Sequence, residues 1–226
     1  MKIPLFDLDG TLFKSEIKTH LEAFDHSFEA IYGVKALESE VDTRGMTDKE
    51  IVIKVLKLHG IERNEVEEKY DLMRQEMTDY FNKICKIGDY VILPGVLKLL
   101  TKLRNIDIPI GTLTGNTKGI GLRKLETAGI KNFFDFGAFG DLTDKRAQLV
   151  EVAKKEAERK LNKQFSLDNF AIIGDTPKDI KCARDAGIFV IAVATGDFDL
   201  ETLAKKKPDL LVHDLTEIST IVKFLS

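Results

Sequence analysis

Apolar positions along the chain follow two rhythms. Short β-rich runs occur at Ile3 to Leu8, Ile106 to Leu113, Phe170 to Ile173, Ile188 to Val193 and Leu210 to Val212, separated by longer stretches of helical spacing. Strand runs alternating with helical stretches predict a parallel sheet with crossover helices, an α/β architecture. A further short strand is predicted within Phe133 to Phe139, weakened by Gly137 and Gly140. From about Ser15 to Ile87 the rhythm changes. Ile17, Leu21, Phe24, Phe28 and Ile31 are spaced 4, 3, 4, 3; Val66, Tyr70, Met73, Met77 and Tyr80 repeat that spacing, with Ile51, Val55 and Leu58 between them. These stripes predict an all-helical insert over 15–87, its aromatics and methionines forming its own core, within an α/β unit made of 1–14 and 88–226. Pro94-Gly95 marks a helix start, and Lys205 to Lys207 a solvated helix end before Pro208.

Composition narrows the function classes. At 226 residues, 43% hydrophobic and 31% charged, the chain has enough apolar material for a packed core, which argues against disorder and against a small disulfide scaffold. With 34 Lys plus Arg against 37 Asp plus Glu, it carries no electrostatic footprint for nucleic acid. The two cysteines, Cys85 and Cys182, stand in no zinc-binding pattern and are expected to be reduced and buried; His20, His26, His59 and His213 form no local metal pattern. No stretch reaches the roughly 18 apolar residues of a membrane span, and the apolar run in MKIPLFDLDG is too short for a signal peptide. The expected location is the cytoplasm, with no membrane partner. Oligomeric state leaves no mark in the sequence.

Four places carry candidate chemistry. Asp7 and Asp9, in Phe6-Asp7-Leu8-Asp9-Gly10-Thr11, close the first strand. Residues two apart on a strand point the same way, so both carboxylates are expected at one site beyond the carboxyl end of the sheet, where ligands bind in open parallel sheets. Paired carboxylates hold a cation, or raise one pKa so that it serves as an acid. A calcium loop is excluded because the acceptor spacing stops at Gly10. Thr114-Gly115-Asn116 follows the second run; its hydroxyl and backbone N–H groups suit an anion, although a helix cap accounts for it equally. Asp175 and Asp179, in Gly174-Asp175-Thr176-Pro177-Lys178-Asp179, adjoin the third strong strand, with acidic residues at a helix start as the bland reading. Arg146 lies within about 60° of Leu149, Val150, Ala153 and Ala157 on a helix at 100° per residue, so it opens a buried stripe while Lys145 points elsewhere. A buried cation at a first turn calls for an anion, unless it snorkels.

In this order the motifs resemble the haloacid dehalogenase superfamily of phosphohydrolases over nearly the whole chain. Asp7-Leu8-Asp9-Gly10-Thr11 is similar to its first motif, Thr114 to its second, Arg146 to its third, and Asp175 with Asp179 to its fourth. The Thr-Gly-Asn and Gly-Asp-Thr-Pro-x-Asp segments are closest to its phosphoglycolate-phosphatase-like branch. The resemblance implies a Rossmann-like, doubly wound core with a helical cap inserted after the first motif. It implies Asp7 as nucleophile, Asp9 as acid and base, and Thr114 and Arg146 as holders of the phosphoryl oxygens, with Gly115 and Asn116 beside them. It further implies Mg²⁺ on Asp7, the backbone carbonyl of Asp9, and Asp175. The expected substrate is a small phosphate ester, phosphoglycolate-like or a sugar phosphate. Asp9 argues against the dehalogenase branch, which normally lacks that second acid. In the insert, Arg44 of Arg44-Gly45-Met46-Thr47 is a candidate reader of an acidic substrate tail, although a capping turn explains the segment too. A phosphomutase resembling β-phosphoglucomutase is the alternative enzyme. A signalling receiver is a third reading, disfavoured by the motif order and the helical insert.

Overall fold

The computed structural model describes residues 1–14 and 18–226. In chain order the helices and strands are β1 (Ile3–Phe6), β2 (Phe13–Lys14), α1 (Thr19–Tyr32), α2 (Asp48–Leu58), α3 (Arg63–Ile84), β3 (Val91–Ile92), α4 (Val96–Asn105), β4 (Gly111–Thr114), α5 (Lys118–Thr127), β5 (Phe136–Phe139), α6 (Gln148–Leu161), β6 (Phe170–Gly174), α7 (Pro177–Ala186), β7 (Phe189–Val193), α8 (Leu200–Ala204), β8 (Leu210–Val212) and α9 (Ile218–Leu225).

Six strands pair in parallel in the order β5-β4-β1-β6-β7-β8, so the first strand of the chain is central. Side chains alternate between the two faces. Phe6, Ile173, Ile191 and Val193 pack with Leu99, Leu100, Leu103, Ile221 and Leu225 of α4 and α9. On the opposite face Leu5, Ile172, Val190 and Ala192 pack with Leu149, Val150 and Ala153 of α6 and with Ala183 of α7. Both faces are covered, which is why these strands read as continuous apolar runs. The result is a Rossmann-like α/β core, as expected.

The run Ile106 to Leu113 proves shorter as a strand than its apolar pattern suggests. Asp107 has φ 54°, Pro109 cannot donate to a ladder, and pairing starts only at Gly111. Ile108 and Ile110 are nevertheless buried, so the apolar signal reported burial without strand.

Between Lys18 and Cys85 the described regular elements are helices. Phe24 and Phe28 of α1 and Val66, Tyr70, Met73 and Met77 of α3 are buried as their stripes required, while Tyr80 is half-buried. Ile51 and Val55 of α2 are buried, but Leu58 is exposed; Val52 and Leu56 complete that face instead. Ser15 and Ile17, assigned from sequence to the start of the insert and to its first stripe, lie outside the described residues. An antiparallel pair, β2 with β3, flanks the helical segment on both sides; two-residue strands carry no readable period. Among the described residues, no helix is long and apolar enough to cross a membrane. Cys85 and Cys182 are both free and buried.

Candidate active site

The central position of β1 places its carboxyl end between those of β4 and β6, the point from which connections depart to either side. The chain leaves β1 at Phe6; Asp7 still donates its N–H to Ile173 at 2.9 Å, and Gly10 turns at φ +79°. A cavity of about 550 Å³ opens there, walled by Asp7, Asp9, Thr114, Arg146 and Asp175 from the core and by residues such as Met46 from the helical segment. Ligand pockets of this size are ordinary for small molecules.

Asp7, Asp175 and Asp179 bring carboxylate oxygens within 4.8 Å of one another, all buried. Arg146 Nη2 lies 3.0 Å from Asp7 Oδ1 and 2.6 Å from Asp179 Oδ1. Arg146 sits in the turn just before α6, 8% exposed, whereas Lys145 is exposed. The Arg146 Nε has no partner among the described residues, so the guanidinium keeps a buried donor for an arriving anion. Burial works against its charge, but Asp179 and Asp7 hold the guanidinium above its usual range.

Burial pushes the Asp7 carboxyl up to about 6; Arg146 opposes that rise, while the Asp179 and Asp9 charges add to it. Asp175 is raised well above the ordinary carboxylate range, first by burial and then by Asp179 and Asp7. Three buried acids facing one arginine leave negative charge uncompensated, and an all-oxygen donor set suits a hard dication such as Mg²⁺. The backbone is built around the same oxygens: a Cβ on Gly10 or on Gly196 would collide with Asp175 Oδ2. These residues therefore fit a Mg²⁺ ion.

The two acids of the fourth motif divide their work. Both Asp179 oxygens are engaged, Oδ1 by Arg146 and Oδ2 by the N–H and hydroxyl of Thr176 at 3.0 and 2.7 Å. The one side-chain donor to the Asp175 carboxylate among the described residues is the Thr11 hydroxyl, at 2.8 Å. Asp175 is thus the freer donor to a metal, and Asp179 orients Arg146 while capping α7.

Asp9 lines the same cavity as Asp7, but its side chain meets a different partner. Lys124 Nζ lies 2.9 and 2.8 Å from the two Asp9 oxygens, and Asn116 Nδ2 donates to Oδ2 at 2.8 Å. Desolvation by the cavity walls works against the charge, yet Lys124 holds the Asp9 carboxyl below its usual range. Thr114 Oγ1 accepts from the N–H and Nδ2 of Asn116 at 3.2 and 2.7 Å, so its own proton has no acceptor among the described residues. Asn116 spends both amide protons on Asp9 and Thr114, which makes its side chain a strut and leaves little for substrate. Gly115 accepts from the Asp48 N–H at 2.7 Å, and a Cβ there would strike the Met46 carbonyl. Arg44 lines the cavity from the helical segment but is exposed, paired with Asp42 at 2.8 Å and stacked on Phe198.

Lys124 escaped the sequence reading because a charged residue inside a helix reads as solvated. The signal was present: Lys124 stands four residues after buried Ile120 and beside buried Leu125, on the apolar face of α5. The reasoning that picked out Arg146 applies equally to it.

The raised acids have a consequence for stability. A carboxyl whose folded pKa exceeds its unfolded value binds more protons in the native state between the two values, so stability falls as pH rises through that window. With Asp7 moving from 3.8 to about 6, the thermal midpoint of the metal-free protein is expected to be higher at pH 5 than at pH 7. Mg²⁺ should stabilise more above pH 6, where Asp7 is ionised. A metal-free midpoint that rises from pH 5 to pH 7 would contradict the arrangement.

The parallel α/β sheet carries buried acids, a hydroxyl and a cation at its carboxyl end. The sequence model described as Haloacid dehalogenase-like hydrolase matches residues 4–193, and the chain belongs to that family. Beta-phosphoglucomutase of Bacillus subtilis is 27% identical over 226 residues, covering 96% of this chain and 95% of that protein. Pyrophosphatase PpaX of Oceanobacillus iheyensis is 25% identical over 96% of this chain and 95% of its own length. The crystal structure of beta-phosphoglucomutase from Clostridium difficile superposes with TM-score 0.72 at 22% identity, covering 99% of this chain and 96% of that one. Family and enzyme class thus agree with the expectation from the motifs, a phosphatase-type enzyme of the haloacid dehalogenase family.

Proposed function

We infer that this protein is a Mg²⁺-dependent phosphatase of small phosphorylated metabolites, working through a phosphorylated Asp7. The observation that carries the reading is the buried acid cluster of Asp7, Asp175 and Asp179 with Arg146 against it, Asp7, Asp175 and Arg146 lining a cavity large enough for a metabolite. Mg²⁺ held by Asp7, the Asp9 carbonyl and Asp175 would offset charge on the phosphoryl oxygens.

The free Asp7 oxygen attacks phosphorus, the bond to the ester oxygen breaks, and Asp9 delivers a proton to that oxygen as the alcohol leaves. Asp9 is ionised in the free protein; the arriving dianionic phosphoryl group, a like charge, favours its protonation. The resulting Asp9 carboxylate then takes a proton from water, whose oxygen bonds phosphorus while the Asp7–phosphorus bond breaks, restoring Asp7 and releasing phosphate. Dividing hydrolysis this way replaces one difficult step with two easier ones. The Thr114 hydroxyl and Arg146 supply donors to the equatorial oxygens, since phosphoryl transfer rests mainly on positioning and charge.

The helical segment 15–87 serves in this reading as a cap over the core 1–14 and 88–226. It closes the cavity through Met46 and Asp48 and selects the leaving group, phosphoglycolate-like or a sugar phosphate, with Arg44 at the rim. The cytoplasm is the proposed location, with a small phosphate ester as partner and neither nucleic acid nor membrane. Phosphate release from a panel of 2-phosphoglycolate, pyrophosphate, sugar phosphates and an aryl phosphate, with Mg²⁺ and with chelator, tests the reading; release unaffected by chelator would overturn it. The full-length likeness to a beta-phosphoglucomutase supports a mutase as second reading. A long-lived phosphoenzyme discharged by a sugar phosphate, and slowly by water, would select the mutase.

A further inference from the structure

Among the described residues Lys124 is the only buried lysine, 2% exposed. An ammonium has three protons. Those of Lys124 have three acceptors: the Asp9 carboxylate at 2.8 and 2.9 Å, Asn116 Oδ1 at 2.6 Å and His20 Nδ1 at 3.2 Å, with the Tyr90 ring 5.3 Å from the charge. Asn116 in turn donates to Asp9 and to Thr114. Lys124 is therefore the hub of a network that ties Asp9, Asn116 and Thr114 together, and no proton is left over for a substrate.

We propose that Lys124 is the positioning residue for Asp9, fixing its carboxylate toward the leaving-group side of the cavity and away from the acid cluster of Asp7 and Asp175. The proposal rests on the phosphatase reading above. The Asp9 side chain is 49% exposed to the cavity, so packing alone does not hold it. Contact with both carboxylate oxygens fixes the plane of the group as well as its direction, which one amide from Asn116 does not. An acid placed this way serves substrates whose leaving oxygen needs a proton, and matters little for one that leaves as a stable anion.

The test uses the full chain with Mg²⁺, comparing kcat/KM, which reports steps up to phosphorylation of Asp7, for the best alkyl phosphate and for p-nitrophenyl phosphate. Lys124→Met is expected to lose about 10²-fold on the alkyl ester and under about 10-fold on the aryl ester. In an Asp9→Asn background the same substitution should cost almost nothing further on the alkyl ester, because its effect passes through Asp9. Equal losses on both esters, or losses that multiply in the double variant, would overturn the proposal. Should Lys124→Met fail to fold, Lys124→Gln, which keeps a polar donor on a shorter, uncharged side chain, carries the same two comparisons. Aryl phosphatase activity that survives Asp7→Asn would instead overturn the underlying reading, so the two failures are distinct.

Discussion

Asp7→Asn is expected to lower phosphate release by at least about 10³-fold on every ester, because the substitution keeps size and hydrogen-bonding capacity while removing the attacking oxygen. The structure adds a second expectation that separates loss of chemistry from loss of fold. Asp7 is buried with its carboxyl raised to about 6, so at pH 7 its charge costs the metal-free protein stability. The asparagine variant should thus melt no lower than the wild type without metal, and should lose much of the Mg²⁺-dependent rise in midpoint. Stopped-flow or end-point phosphate detection beside a melting curve checks both. A variant that turns over at the wild-type rate removes Asp7 as nucleophile.

Arg146→Ala carries the next largest effect, about 10²-fold in kcat/KM by analogy with the loss of one transition-state donor. Its Nη2 is shared between Asp7 and Asp179, so truncation leaves those buried acids facing each other without a cation. Breaking a buried pair from one side costs about 3–5 kcal/mol, so a markedly lower melting temperature is expected together with the activity loss. Lys145→Ala, at an exposed position one residue away, should leave both measurements close to wild type. The opposite ranking would place the phosphate-binding cation at Lys145.

The parts of the fold that were legible in the sequence are those where one physical cause produces one pattern. Strands covered on both faces give unbroken apolar runs, and β6, β7 and β8 lie within a residue or so of where those runs stand. Helices with one buried face give 4, 3, 4, 3 spacing, and α3 follows it through Val66, Tyr70, Met73 and Met77. The pattern misleads where burial and strand part company, as at Ile108 and Ile110, and is silent where pairing spans two residues, as in β2 and β3.

The candidate site divides similarly. Asp7, Thr114, Arg146 and Asp175 were legible because each stands at a strand end or opens a buried stripe, and the structure gathers them around one cavity. Asp9 was legible as a site residue and lines the same cavity as Asp7, but its carboxylate pairs with Lys124 and does not join the cluster of Asp7, Asp175 and Asp179. That difference follows from the chain leaving β1 before Asp7 and reversing at Gly10, so strand alternation no longer governs where the second acid points. The apolar face of α5 marks Lys124 as buried, but nothing local pairs it with Asp9, 115 positions away.

The strand order also bears on how the chain acquires its site during synthesis. β1 leaves the ribosome before the other strands of its sheet, yet one of its neighbours, β6, is made more than 160 residues later, with Ile3 opposite Phe170. Until that late strand docks, Asp7 has an open flank and lacks both Asp175 and Asp179, so the acid cluster comes together only after residue 179 has been made. Contacts of such sequence separation are slow to form, and a nascent chain halted before Phe170 holds half of a sheet, with Arg146 made but neither Asp175 nor Asp179 to complete the cluster around it.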